Sequence, residues 1–95
     1  MVIWSLPSKE SLKNIHDFIA NDSEYYAKQV TSNIISSTDN LELFPKLGRV
    51  VPEFQNENIR EIFQYSYRII YELKDEKIYI LNIIHGKRKL EKEML

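Results

Sequence analysis

A small set of side chains in this sequence could act on a phosphodiester. Metal-free RNA cleavage needs a base for the ribose 2′-hydroxyl, cations for the charge on the phosphate, and an acid for the departing 5′-oxygen. Glu53 and His85 are candidate bases, and His85 is also a candidate acid, because an unperturbed histidine titrates near neutral pH. Arg60, Arg68 and Arg88 are candidate phosphate clamps. Each residue also has a structural reading. Arg68 could be a strand arginine paired with Glu61 or Glu72, His85 could fix a turn at a strand end, and Glu53 could be a structural carboxylate. The run Lys87-Arg88-Lys89 either contacts nucleic acid or a protein target, or is a solvated tail. His16 lies beside an apolar stripe and reads as a surface residue.

Other chemistries find no support. With no cysteine there is no disulfide, thiolate nucleophile or Cys-ligated metal, and two distant histidines make a zinc site unpromising. The two glycines, Gly48 and Gly86, form no phosphate-cradling loop. No serine sits in a nucleophile motif. The reading therefore includes no cofactor and no metal. At 95 residues, 43% hydrophobic and 28% charged, residues 1–95 fit one globular domain. No apolar run is long enough for a membrane span, the N-terminus does not resemble a signal peptide, and the lack of cysteine fits a reducing cytoplasm. The net charge is −1. Residues 1–58 hold five Lys/Arg against eight Asp/Glu, a net −3, and residues 59–95 hold eight against six, a net +2. Attraction to phosphate would have to come from the C-terminal third.

The elements that must position these residues are legible. Val2 to Ser5 suits a short strand. Pro7 and Ser8 predict a helix start with Ser8 as N-cap, and Leu12, Ile15 and Ile19 follow at helical spacing until Asn21-Asp22. Ser23 predicts a second N-cap, followed by a stripe of Ala27, Val30, Ile34, Thr38 and Leu41. So short a link predicts an antiparallel helical hairpin. Phe44 to Asn58 reads as a long loop. Ile59 to Tyr65 reads as a strand, Tyr67 to Leu73 alternates with period two, and Lys74 to Lys77 is a polar hairpin turn. Ile78 to Ile84 is apolar on both faces, as expected of a strand covered on both sides. Lys87 to Leu95 is a charged tail, either a short helix or an arm. The order β-α-α-β-β-β predicts an α+β fold, with the hairpin on one face of a small, mainly antiparallel sheet.

In this order the chain resembles the ParE/RelE superfamily of bacterial type II toxin–antitoxin toxins, ParE-like members above all. The resemblance rests on Ile3-Trp4-Ser5, Leu43-Phe44-Pro45, Gly48-Arg49-Val50-Val51-Pro52-Glu53, Ile59-Arg60-Glu61-Ile62, Tyr67-Arg68-Ile69-Ile70-Tyr71-Glu72 and Ile83-Ile84-His85-Gly86-Lys87-Arg88. It covers nearly the whole chain. It implies a small toxin neutralised by a cognate antitoxin in a hetero-oligomer. ParE-like members poison DNA gyrase, whereas RelE-like members enter the ribosome and cut mRNA. Arg68 and Arg88 match arginines of the nucleases, but their catalytic histidine falls at Gly86, one residue after His85. The nucleases also carry lysines on the strand before Tyr-Arg, where this chain has only Arg60, and often a tyrosine in the tail, where this chain has none after Arg88. The resemblance thus favours a gyrase inhibitor, with Arg60, Arg68, His85, Lys87 and Arg88 as the target-binding or supporting set. An mRNA endonuclease is the alternative, and a non-toxic antitoxin-binding member is a third reading.

Overall fold

The structure, a computed structural model, describes residues 1–95. Its elements are β1 (Val2–Trp4), α1 (Leu6–Ala20), α2 (Glu24–Asp39), β2 (Arg49–Val50), β3 (Ile59–Gln64), β4 (Tyr67–Lys74) and β5 (Lys77–His85). Single 3-10 turns follow at Asn40–Glu42 and Lys92–Met94. The five strands form one sheet in the order β1-β5-β4-β3-β2. Neighbouring strands are antiparallel except β1, which runs parallel to β5. The α+β class and the mainly antiparallel sheet are as the sequence predicts. The extra strand β2 lies inside the segment read as loop, because two residues are too few to display a period-two pattern. No helix is long and apolar enough to cross a membrane.

The first helix starts earlier than Ser8. Ser5 Oγ accepts the Ser8 N–H at 3.2 Å and caps the helix. Pro7 fits the first turn, where a missing N–H leaves no bond unmade. Ser8 itself is buried, and its hydroxyl donates to the Ser5 carbonyl at 2.7 Å. Ser23 caps α2 as expected, accepting the Tyr26 N–H at 3.1 Å. The hairpin lays Ile34 and Leu41 on Ile69, Tyr71, Ile78, Ile80 and Ile83 of the sheet.

Alternation along β4 sends Ile69 and Tyr71 toward the helices and Arg68 and Ile70 to the opposite face. That second face has no helix over it. Its cover is the segment after β2 and the C-terminal tail: Val51 and Leu90 pack on Ile70 and Ile84, with Phe54, Met94 and Leu95 around them. The tail is thus a strap folded back over the sheet, ending in one 3-10 turn rather than a helix. This explains why β5 is apolar on both faces. A bulge also places Leu81 opposite no β4 residue, since Ile70 pairs with Asn82 and Tyr71 with Ile80.

Gly48 marks where the chain must pass close to the sheet. A Cβ there would lie 2.5 Å from the Glu61 carbonyl oxygen and 2.7 Å from the Tyr71 hydroxyl. Tyr71 is fully buried, accepts the Gly48 N–H at 2.9 Å and donates to the Pro45 carbonyl at 2.7 Å. Burial raises its phenol pKa above the ordinary value. One hydroxyl therefore ties the long segment after α2 to β4.

Candidate functional site

Strand pairing brings Arg49, Glu61 and Arg68 to the second face. Arg49 pairs with Glu61 across β2 and β3, and Arg68 lies diagonally from Glu61 across β3 and β4. Arg68 Nε donates to Glu61 Oε1 at 2.5 Å, and Arg49 Nε donates to Glu61 Oε2 at 2.6 Å. From the segment after β2, Glu53 meets the other edge of the Arg68 guanidinium. Nη1 and Nη2 donate to Glu53 Oε2 and Oε1, both at 2.9 Å, in a parallel two-point pair. Nη1 also donates to the Arg88 carbonyl at 3.3 Å, and the Leu90 N–H donates to Glu53 Oε2 at 3.0 Å. The guanidinium is thus enclosed by two carboxylates and a main-chain carbonyl.

The electrostatics follow from this enclosure. The Arg68 side chain is only 6% exposed and that of Glu61 fully buried. The Arg68 hydrogen bonds, with help from the Leu90 N–H, hold the Glu53 pKa down at about 2. The same carboxylates push the Arg68 pKa further above its already high value. A carboxylate this acidic is a weak base, and a guanidinium this occupied has almost no donor left for a phosphate. Removing Arg68 would strand the fully buried Glu61 carboxylate, a loss of about 3–5 kcal/mol.

The remaining candidates lie elsewhere. Arg60 Nε donates to the Glu57 carbonyl and its Nη1 to the Gly48 carbonyl, both at 2.9 Å, so it staples two loops. His85 pairs with Tyr67 at the end of β5, while Arg68 pairs with Ile84. Neighbouring residues of a strand face opposite ways, so His85 lies on the helix side and Arg68 on the strap side. The His85 and Tyr67 rings meet edge-on with centroids 6.2 Å apart. His85 Nδ1 accepts the Lys87 N–H at 3.3 Å. Lys87 and Arg88 are exposed and their side chains make no ion pair. The structure therefore unites Arg68 with Glu53 and groups His85 with Lys87 and Arg88; the two groups touch only through the Arg88 carbonyl, and their side chains do not converge.

Glu61 is one of the two partners the sequence suggests for Arg68, and it is buried between two arginines. What escapes sequence reasoning is its second partner, Arg49, and the main-chain N–H that holds Glu53. The Leu90 N–H carries no side-chain signal at all. Arg49 makes one further contact: its guanidinium carbon sits 5.2 Å from the Phe63 ring centroid, a cation–π contact at the sheet edge.

A helical hairpin on a five-stranded mixed sheet, with its best catalytic candidates locked in ion pairs, defines a small α+β domain with a structural polar core. The family model for the ParE toxin of type II toxin–antitoxin system, parDE, matches residues 2–90, and the chain belongs to this family. Among solved structures the fold is similar to a chain of the chromosomal ParDE TA system from P. aeruginosa. The TM-score is 0.74 at 17% identity, covering 90% of this chain and 95% of that one. No curated protein sequence matches.

Proposed function

We propose that this toxin inhibits DNA gyrase by binding, and that a cognate antitoxin neutralises it by direct contact. The observation that carries the choice over RNA cleavage is the enclosure of Arg68. A nuclease needs an accessible cation beside a base of usable pKa. Here the cation is bonded to Glu53 and Glu61, and Glu53 is held at about 2. His85 faces the other way, so no acid–base pair converges with Arg68.

Exposed apolar side chains supply surface for partners. Phe18, Tyr25 and Tyr26 stand at the hairpin tip, and Leu43, Phe44 and Leu47 follow α2. A segment that folds on binding would gain affinity by covering such groups. We assign the antitoxin to the hairpin and its flanking sheet, and gyrase to the hairpin surface and the basic run of Lys87 and Arg88.

The test is a gyrase supercoiling assay with antitoxin-free protein. Inhibition that is relieved by adding the product of the neighbouring antitoxin gene supports both parts of the proposal. Unimpaired supercoiling by folded protein, together with cleavage of mRNA in translating ribosomes, would replace it with the endonuclease reading.

A further inference from the structure

We propose that the cleft between α1, the end of β5 and the C-terminal strap binds a phosphodiester group of a nucleic-acid strand. The cleft, of about 530 Å³, is lined among others by Asn14, Tyr67, His85, Arg88 and Glu93. Neither Arg68 nor Glu53 lines it, so this site is separate from the locked pair on the sheet's second face.

Ser11 and Asn82 also line the cleft, but Ser11 donates to Asn82 and Asn82 to the Met94 carbonyl, whereas Arg88 and His85 keep polar groups unspent. Arg49 is bonded to Glu61, Arg60 to two carbonyls, and Arg68 to two carboxylates and a carbonyl. Arg88 is the arginine whose side chain makes no hydrogen bond and no ion pair, so its whole fork of N–H groups is available for two-point contact with phosphate oxygens. His85 Nδ1 accepts the Lys87 N–H at 3.3 Å, which leaves Nε2, without a partner within the chain, as the ring nitrogen free to meet a ligand.

The backbone carrying Arg88 is held in place. Its N–H donates to the His85 carbonyl at 3.0 Å, and its carbonyl accepts from Arg68 Nη1. Two residues later the Leu90 N–H is held by Glu53, and Leu90 is buried. Arg68 thus acts as a positioning residue for Arg88: the ionic lock fixes the main chain, and the free side chain is directed from that anchor.

Charge selects the ligand. Glu93 puts one carboxylate at the cleft, which disfavours a dianionic phosphate monoester more than a monoanionic diester. Lys87 and Lys89 flank Arg88, are exposed and are unpaired. Three cations in a row suit an anion that repeats, as a nucleic-acid backbone does. The inference deepens the gyrase proposal, whose target works on DNA. It is tested without gyrase, so either idea can fail alone.

The experiment measures fluorescence anisotropy of labelled DNA duplex and RNA strand against the full chain, from about 50 to 200 mM salt. Arg88→Gln is compared with Lys77→Gln at the far end of β5. NMR then follows the His85 ring and Asn14 amide on addition of DNA, RNA or inorganic phosphate. The expected result is salt-sensitive binding that Arg88→Gln weakens roughly 3–10-fold, with the salt slope smaller by about one, while Lys77→Gln changes little. Nucleic acid should shift His85 and Asn14. Binding to one nucleic acid or both with these signatures supports the site and names its source. Equal affinity of Arg88→Gln and wild type, shifts confined to other residues, or response to inorganic phosphate alone would each overturn it.

Discussion

Replacing Glu53 with glutamine keeps the shape of the side chain and removes its charge. The Glu53 pKa falls from 4.5 to about 2 in the folded chain, with Arg68 as the main cause. At about 1.36 kcal/mol per pKa unit, that is an upper bound of roughly 3 kcal/mol. The side chain is 21% exposed and water screens part of the interaction, so a contribution of about 1–2 kcal/mol is expected. Because the folded pKa is depressed, this stabilisation is fully present above about pH 4.5 and is lost as pH falls toward 2. Glu53→Gln should therefore lower the melting temperature at pH 7 by roughly 5–10 °C. The gap from wild type should shrink between pH 4.5 and 2, as wild type loses what the variant never had. The strap provides a second readout, since Glu53 holds the Leu90 N–H: trypsin should cut at Lys87 to Lys89 faster in the variant. Equal melting temperatures at pH 7 with equal trypsin rates would refute the lock as described.

Three further substitutions probe the frame around the site. Gly48→Ala forces a methyl against the Glu61 carbonyl, 2.5 Å away, and should destabilise the chain by about 1–3 kcal/mol in urea melts. Tyr71→Phe leaves the buried Gly48 N–H without its acceptor and should lose about 1–3 kcal/mol in the same assay. Glu76→Gly should stabilise by about 0.5–1 kcal/mol, because Glu76 sits at φ 60° in the two-residue β4–β5 turn, a conformation glycine adopts without steric penalty.

Because of the lock, Arg68→Ala does not separate the two candidate activities. Arg68→Ala would abolish RNA cleavage in a nuclease, but here it would also strand Glu61 and release the strap, lowering any activity through stability. Arg88→Gln leaves the lock intact, since the Arg88 side chain holds nothing in the free protein, so a loss of either activity in that variant reads as a lost contact to the target.

Much of the frame is legible in the sequence because it follows from periodicity. The stripe from Ala27 to Leu41 and the alternation from Tyr67 to Leu73 each predict an element and its buried face. Ser5 does not stand out as the cap because Ser8, beside Pro7, carries the same local signal. The strand at Arg49–Val50 leaves no mark in the sequence because a two-residue strand exists only through its pairing partners. The site is less legible. Glu61 is one of the partners the sequence suggested for Arg68, whereas Glu72 takes no part in the bonding. Glu53 as partner is invisible in one dimension, because 15 residues and a fold of the chain separate it from Arg68. The separation of His85 from Arg68 depends on strand register, which the bulge at Leu81 disturbs for anyone counting faces along β5.

The most direct test of the central claim is the formation of cleavage complexes. Plasmid DNA, gyrase and ATP are incubated with antitoxin-free protein, and linear DNA is scored with and without protease treatment. The account predicts linear DNA covalently attached to gyrase, accumulating with dose and suppressed by the antitoxin. Intact plasmid at every dose of folded protein, with gyrase fully active, would contradict it.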